Sequence, residues 1–330
     1  MGTELRAQGY DVVILNFPKL FLGFSNNGFF RVPVFYRGGS SYIEANAFVL
    51  VKLLQQLQKQ MGTASTEKIT IVGPSMGGQI AKYALAYMER NTLPHNVGLY
   101  ISLDSPHNGA NTPISDQLFL KYFAEDIGLS EARDGLQAVN SPASKELTLQ
   151  HYSQLPVSMV GSIPVQGNTV PFRADPERGL YLTNLSAAGI WPQQPRRVAV
   201  TNGSLSALRQ LKTDGTGTIA DGEQAFYLRG KFAGIGVAAA RVYFSSGYGN
   251  SVKMVEAHYP VGNGRNYYAI GPAGSCGLDG VAGGWFDVNQ EIAEKVTDRK
   301  GIKIKTIYSL QKMLVSFRCT AHWPISRLMV

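Results

Sequence analysis

Cysteine is scarce in this chain: Cys276 and Cys319 are the whole supply among 330 residues. Two are too few for a disulfide scaffold, and they lack the paired spacing of a zinc site. No run of 18 apolar residues occurs, so no transmembrane segment is expected. Met1 to Gln8 mixes Glu4 with Arg6 and no apolar stretch follows, so no signal peptide is expected in this chain. A P-loop and metal-ligand spacings are also missing, and neither a cofactor nor a metal is expected. Acidic residues are absent from Arg299 to Val330, which carry seven Lys or Arg.

That last absence accounts for most of the net charge of +8, because the other residues hold 24 basic and 23 acidic groups. A nucleic-acid binder normally carries its basic face on the folded part, interleaved with aromatics, so no nucleic-acid partner is expected. The composition is otherwise that of an ordinary globular protein, 44% hydrophobic and 16% charged. The length suits one large domain with an insertion, or two domains.

Gly9 precedes Tyr10 to Phe17, a continuous apolar run ending at Pro18, as expected of a strand buried on both faces of a parallel sheet. A loop rich in Gly, Asn and Phe continues to Ser40. Ser41 and Glu44 then form a capping-box pattern ahead of Ile43, Ala47, Leu50, Leu54 and Leu57, which predicts an amphipathic helix. Lys68 to Gly73 and Val97 to Leu103 read as strands, with a helix over Gly77 to Glu89 between them, and this alternation implies a parallel sheet. From Thr112 to Leu136 the pattern is helical, and Ser141 to Tyr152 reads as another short helix. Arg197 to Val200 gives one more strand. Arg241 to Phe244 and Val252 to Tyr259 read as strands of an antiparallel meander.

Gly73, Pro74, Ser75, Met76 and Gly77 spell G-x-S-x-G between a predicted buried strand and a predicted helix, the context that a nucleophile elbow requires. Small flanking residues let strand and helix pass closely, and Gly78 adds room. Ser75 is the expected nucleophile. The backbone N–H of Met76, at the positive end of the helix dipole, is the expected oxyanion donor. The fold class follows as α/β: an α/β-hydrolase with a mostly parallel sheet, flanking helices, cap helices and an antiparallel β insertion.

A serine hydroxyl needs a histidine held by a carboxylate, and in this fold the order along the chain is serine, acid, histidine. His95 and His107 come too early, and His107 is expected to be a structural hydrogen-bonding residue. His322 stands at the right end of the chain, with His258 as the other candidate base. For the acid, Asp104 follows the strand after the elbow, while Asp214 and Asp221 follow the strand beyond it. Gly215, Gly217 and Ala220 match G-x-G-x-x-A, but no buried strand precedes them, so no dinucleotide site is expected.

Several stretches resemble a known family: Ile43-Glu-Ala-Asn-Ala, Gly73-Pro-Ser-Met-Gly-Gly, Tyr83-Ala-Leu-Ala-Tyr-Met-Glu and Leu103-Asp-Ser-Pro-His-Asn-Gly-Ala. They look like predicted bacterial α/β-hydrolases, often from Bacteroidetes, related to GPI inositol-deacylase-like and lipase-like esterases. The likeness extends more loosely through Ser141-Pro-Ala and Val198-Ala-Val-Thr-Asn-Gly-Ser. It implies a secreted or surface ester hydrolase with a Ser, His and acid triad, Ser75 its nucleophile, acting on an ester or lipid-like small molecule.

Residues 1–220 are expected to form the hydrolase core with cap helices around 112–155. Residues 221–290 would be an antiparallel insertion or small second domain, and 291–330 a basic tail of poor patterning. Leu118 to Phe123 could be a lid or a core helix. Family members have strands ahead of Tyr10, so the elbow strand is expected to lack a neighbour on one side, as in a gene product shortened at both ends. A catalytically inactive scaffold used as a binding module is the alternative. Substrate identity, hydrolysis against acyl transfer, and oligomeric state are not encoded in any motif.

Overall fold

The computed structural model describes residues 2–17, 20–27, 30–62, 65–126, 128, 130–154, 173–201, 216–218, 220–232, 236–244, 252–258, 267–271 and 303–304. Seven α-helices are described: α1 (Gly2–Ala7), α2 (Ile43–Met61), α3 (Met76–Arg90), α4 (Ile114–Lys121), α5 (Ser130–Val139), α6 (Pro142–Leu147) and α7 (Pro176–Ala188). A π-helical turn, Tyr122–Asp126, continues α4. Ten strands are described: β1 (Leu20–Asn27), β2 (Phe30–Arg37), β3 (Ile69–Pro74), β4 (Val97–Leu103), β5 (Arg196–Val200), β6 (Gln224–Phe232), β7 (Gly236–Tyr243), β8 (Val252–His258), β9 (Tyr267–Gly271) and β10 (Lys303–Ile304).

Three sheets result. Strands β3, β4 and β5 form a parallel sheet in that order, β1 and β2 an antiparallel hairpin, and β6 to β10 an antiparallel sheet ordered β10-β6-β7-β8-β9. Two residues of the basic tail, Lys303 and Ile304, therefore pair with β6. Helix α4 packs on β7 and β8, so the antiparallel sheet leans on the segment that follows the parallel one.

The main core lies between the parallel sheet and α2, α3 and α7. Ile43, Ala47, Leu50, Val51 and Leu54 form the buried stripe of α2, and Ile80, Ala84, Leu85 and Met88 that of α3, with Tyr181 and Leu185 of α7 beside them. These are the 3.6-residue stripes that an amphipathic helix presents to a core. Helix α3 is covered so completely that every residue from Gly78 to Ala86 is buried, including Lys82 and Gln79. Along α4 and the π-helical turn, Leu118, Tyr122 and Phe123 are buried, as core side chains are.

Three expectations fail. Tyr10 to Phe17 is not a central strand: it pairs with no strand among the described residues, and Tyr10, Val13 and Ile14 are 61%, 56% and 70% exposed. A strand needs a partner ladder as well as apolar side chains, and here Leu15 and Phe17 reach the core without one. The capping box at Ser41 and Glu44 does not form, since no side chain caps α2 locally. The Ile43 N–H instead donates to Glu146 Oε2 of α6 at 2.7 Å, and Glu44 accepts from Asn184 of α7 at 2.9 Å. The Gly- and Phe-rich loop before Ser40 contains the β1–β2 hairpin.

Candidate active site

Strand β3 ends at Pro74 and α3 begins at Met76, so Ser75 alone turns the chain. It does so at φ 50° and ψ −124°, a conformation that residues with a Cβ rarely adopt and that costs about 1–3 kcal/mol. Two glycines permit the turn. A Cβ on Gly73 would lie 2.6 Å from Gly77 C and O, and one on Gly78 would overlap Ser105 Oγ and approach Ser105 Cβ to 2.7 Å. At Gly77 the added Cβ would meet only Pro74 Cδ, at 3.4 Å, so Gly78 is the stricter requirement of the two.

Hydrogen bonds from β4 and its loop hold the strained turn. The Ser75 N–H donates to Leu103 O at 2.8 Å, extending the β3–β4 ladder by one residue. The Tyr100 hydroxyl donates to Gly78 O at 2.6 Å, and Ser105 Oγ to Gly73 O at 3.3 Å. Gln79 donates to Pro106 O while its Oε1 accepts from Tyr181 of α7 at 3.1 Å. Burial pushes the Tyr100 phenol up to about 12, so it remains a donor at any ordinary pH.

Ser75 is exposed, and its side chain has no hydrogen-bond partner among the described residues. Met76 is the first residue of α3, where a backbone N–H has no intrahelical acceptor. Asp104 follows β4 directly, at φ 48°; its N–H donates to Val200 O at 2.7 Å and its Oδ1 accepts from Thr201 Oγ1 at 3.3 Å. Ser75, Asp104 and Thr201 thus form a row across the carboxyl ends of three parallel strands, the end of such sheets where ligands bind.

The other candidates stand apart from this row or outside the description. Asp221 lies in the turn before β6 of the antiparallel sheet. His258 ends β8 opposite Ala239. Asp214, His322, Cys276 and Cys319 lie outside the described residues.

Each remaining histidine is engaged in packing. His95 is buried, accepts the Val97 N–H at Nδ1 (3.0 Å) and faces Glu89 with Nε2 (3.3 Å). His151 donates from Nε2 to Val139 O at 3.1 Å and accepts the Ser153 N–H at Nδ1, 3.2 Å. His107 meets Ser102 Oγ at 2.8 Å, as its expected structural role requires, and packs 4.8 Å from the Trp191 ring. Burial, aided by Lys82, holds the His107 imidazole down at about 4, so it is neutral near pH 7. The Lys82 ammonium sits 3.9 Å over the same indole, and burial lowers it to about 8.

The supporting group of Gln79, Tyr100, Ser105 and Tyr181 was not foreseen. Ser105 alone had a signal, its place in the Asp-Ser-Pro-His run after β4. Helix α7 was missed as well, although Asp175 caps it with Pro176 at its first turn and Gly189 ends it in the left-handed conformation.

Residues 38–132 match the PGAP1-like alpha/beta domain. No curated relative matches the sequence. Among solved structures, the mature form of the Bacillus licheniformis lipase BlEst2 is 20% identical over 35% of this chain and 42% of that one, with a TM-score of 0.23. The parallel sheet with its flanking helices and the matched domain together define an α/β-hydrolase-like fold. No described helix is long and apolar enough to cross a membrane.

Proposed function

We propose that this chain is a serine hydrolase of the lipase and esterase kind, cleaving carboxylic esters through an acyl-enzyme at Ser75. The observation that carries the reading is the strained, exposed Ser75 between β3 and α3, in a turn held by hydrogen bonds from β4 and its loop. Ser75 Oγ attacks the ester carbonyl carbon and its proton passes to a histidine base. The Met76 N–H donates to the resulting oxyanion, the alcohol leaves with the proton, and water then releases the acid. An acceptor other than water would make the same intermediate a transferase intermediate.

Asp104 is the favoured acid over Asp214 and Asp221. Its Cα lies one ladder spacing, about 5 Å, from that of Ser75, so both residues stand at the same end of the sheet. His322 is the favoured base and His258 the other, because the three remaining imidazoles are committed to packing. That commitment is also what favours the second reading, an inactive scaffold that binds without turnover. Hydrolysis of p-nitrophenyl esters over a series of acyl lengths, with Ser75→Ala as control, separates the two. Ser75-dependent release of nitrophenol is expected, and a folded chain inert on every ester would leave the scaffold.

A further inference from the structure

Three basic groups gather on one indole. The Lys82 ammonium of α3 stands 3.9 Å over the Trp191 ring, the Arg197 guanidinium of β5 lies 5.9 Å from its centroid, and the His107 ring packs 4.8 Å from it. Trp191 belongs to the turn between α7 and β5, and His107 to the loop that follows β4. The cluster is therefore built by four separate segments of the main domain.

Among the described residues no acid matches these cations. Neither Lys82 nor Arg197 has an ion-pair or hydrogen-bond partner there. Glu89, on the same helix as Lys82, spends its oxygens on the Gln193 N–H at 2.6 Å, the Gln194 N–H at 2.9 Å and His95 at 3.3 Å. His107 Nε2 meets Ser102 Oγ, but its Nδ1 is buried and has no partner among the described residues. Lys82 is 3% exposed, and burying an ammonium without a carboxylate costs stability. The indole face returns only part of that cost, since it leaves the three ammonium N–H groups without an oxygen to bond. A second cation on the same ring adds repulsion. Trp191 and His107 are half-buried and Arg197 is exposed, so the cluster runs from solvent at Arg197 inward to Lys82.

We propose that Lys82, Arg197 and His107 form a binding site for a phosphate group, free or esterified. A phosphate carries about −1.5 to −2 charge at pH 7 and can neutralise both cations, where a carboxylate neutralises one. The planar guanidinium takes two of its oxygens and the ammonium a third. With Ser102 donating to Nε2, the ring proton of His107 stands on Nδ1 and is free for the remaining oxygen. The site is independent of the chemistry at Ser75, and it stands whether or not the chain hydrolyses esters.

The test is isothermal titration calorimetry of the full chain at pH 7, in phosphate-free buffer at constant ionic strength, with inorganic phosphate, glycerol phosphate and acetate as ligands. At least one of the two phosphates is expected to bind about tenfold more tightly than acetate or better. Lys82→Met and Arg197→Gln are each expected to weaken that binding about tenfold or more, as the loss of a charge-assisted hydrogen bond does. Circular dichroism checks both variants; Arg197 is exposed, so Arg197→Gln serves should Lys82→Met disturb α3. Tighter binding of inorganic phosphate would mark the ligand as the free ion, and tighter binding of glycerol phosphate would mark it as an ester. Binding of neither phosphate, acetate bound as tightly as phosphate, or folded variants that bind as well as the parent would overturn the proposal.

Discussion

Ser75 and Asp104 stand on adjacent parallel strands, each one residue past its strand's end and each in the left-handed region, at φ 50° and 48°. The Ser75 N–H reaches Leu103 O and the Asp104 N–H reaches Val200 O, so the β3–β4 and β4–β5 ladders, each continued by one residue, place the two. Two strained residues side by side at the carboxyl end of a sheet are a costly arrangement for a scaffold and a useful one for a nucleophile and its acid. Asp104→Asn is expected to lower kcat on a p-nitrophenyl ester by about a hundredfold or more with little change in KM, as loss of a triad acid does. Near-normal kcat would move the acid to Asp214 or Asp221.

Gly78→Ala tests the elbow's packing apart from its chemistry. The new Cβ overlaps Ser105 Oγ, and Ser105 is held by its own bond to Gly73 O. Overpacking of this kind costs about 1–3 kcal/mol, read as a lower midpoint in urea unfolding. Ser105→Gly in the same chain is expected to return a substantial part of it, whereas an equal loss in single and double variants would show that Ser105 is not the obstacle.

Glu146 gives the fold a pH dependence in the alkaline direction. Its carboxyl is buried beside Glu44 and Glu177, and burial foremost raises it to about 9 from an ordinary 4.5, against the lowering effect of the Ile43 N–H bond. Between those values the folded chain holds a proton that the unfolded chain has released, so stability falls as pH rises through the window, by at most about 1.4 kcal/mol per pH unit. Glu146→Gln keeps an oxygen for the Ile43 N–H and cannot ionise. Its stability advantage over the parent is expected to widen from pH 5 to pH 9 in denaturant titrations; a constant difference would contradict the assignment.

Lys82 works in the opposite sense. It is 3% exposed, has no ion-pair partner among the described residues, and is lowered to about 8 from 10.5 by burial. Between those values the unfolded chain holds the extra proton, so stability rises with pH through that window. Lys82→Met removes a buried charge and loses only the contact with Trp191. It is expected to stabilise the chain by about 1–3 kcal/mol at pH 7, with the gain shrinking above pH 8. A loss of stability at pH 7 would show that the ammonium is better compensated than its surroundings indicate.

What the sequence made legible was local. Lys68 to Arg90 reads correctly as strand, turn and helix because glycine spacing, an apolar run and a helical stripe lie within one short stretch, and the structure places Ser75 where they meet. Distant partners defeated the same method. Ser41 and Glu44 match a capping box, yet Glu146, 103 residues away, takes the Ile43 N–H. Tyr10 to Phe17 has the composition of a central strand, but composition records a preference for burial and says nothing of which ladder is free to pair. The β1–β2 segment reads as a loop in sequence because its strands lack the alternation of a half-buried ribbon. Asp104 was legible as a candidate, but its register beside Ser75 was not, since that depends on how β4 pairs with β3 and β5.

The central claim, an activated Ser75, is tested most directly by labelling the purified chain with a fluorophosphonate probe after circular dichroism has shown it folded. The account predicts a covalent adduct on the peptide that contains Ser75, absent from Ser75→Ala and competed by an ester substrate. A folded chain that takes no label would contradict it.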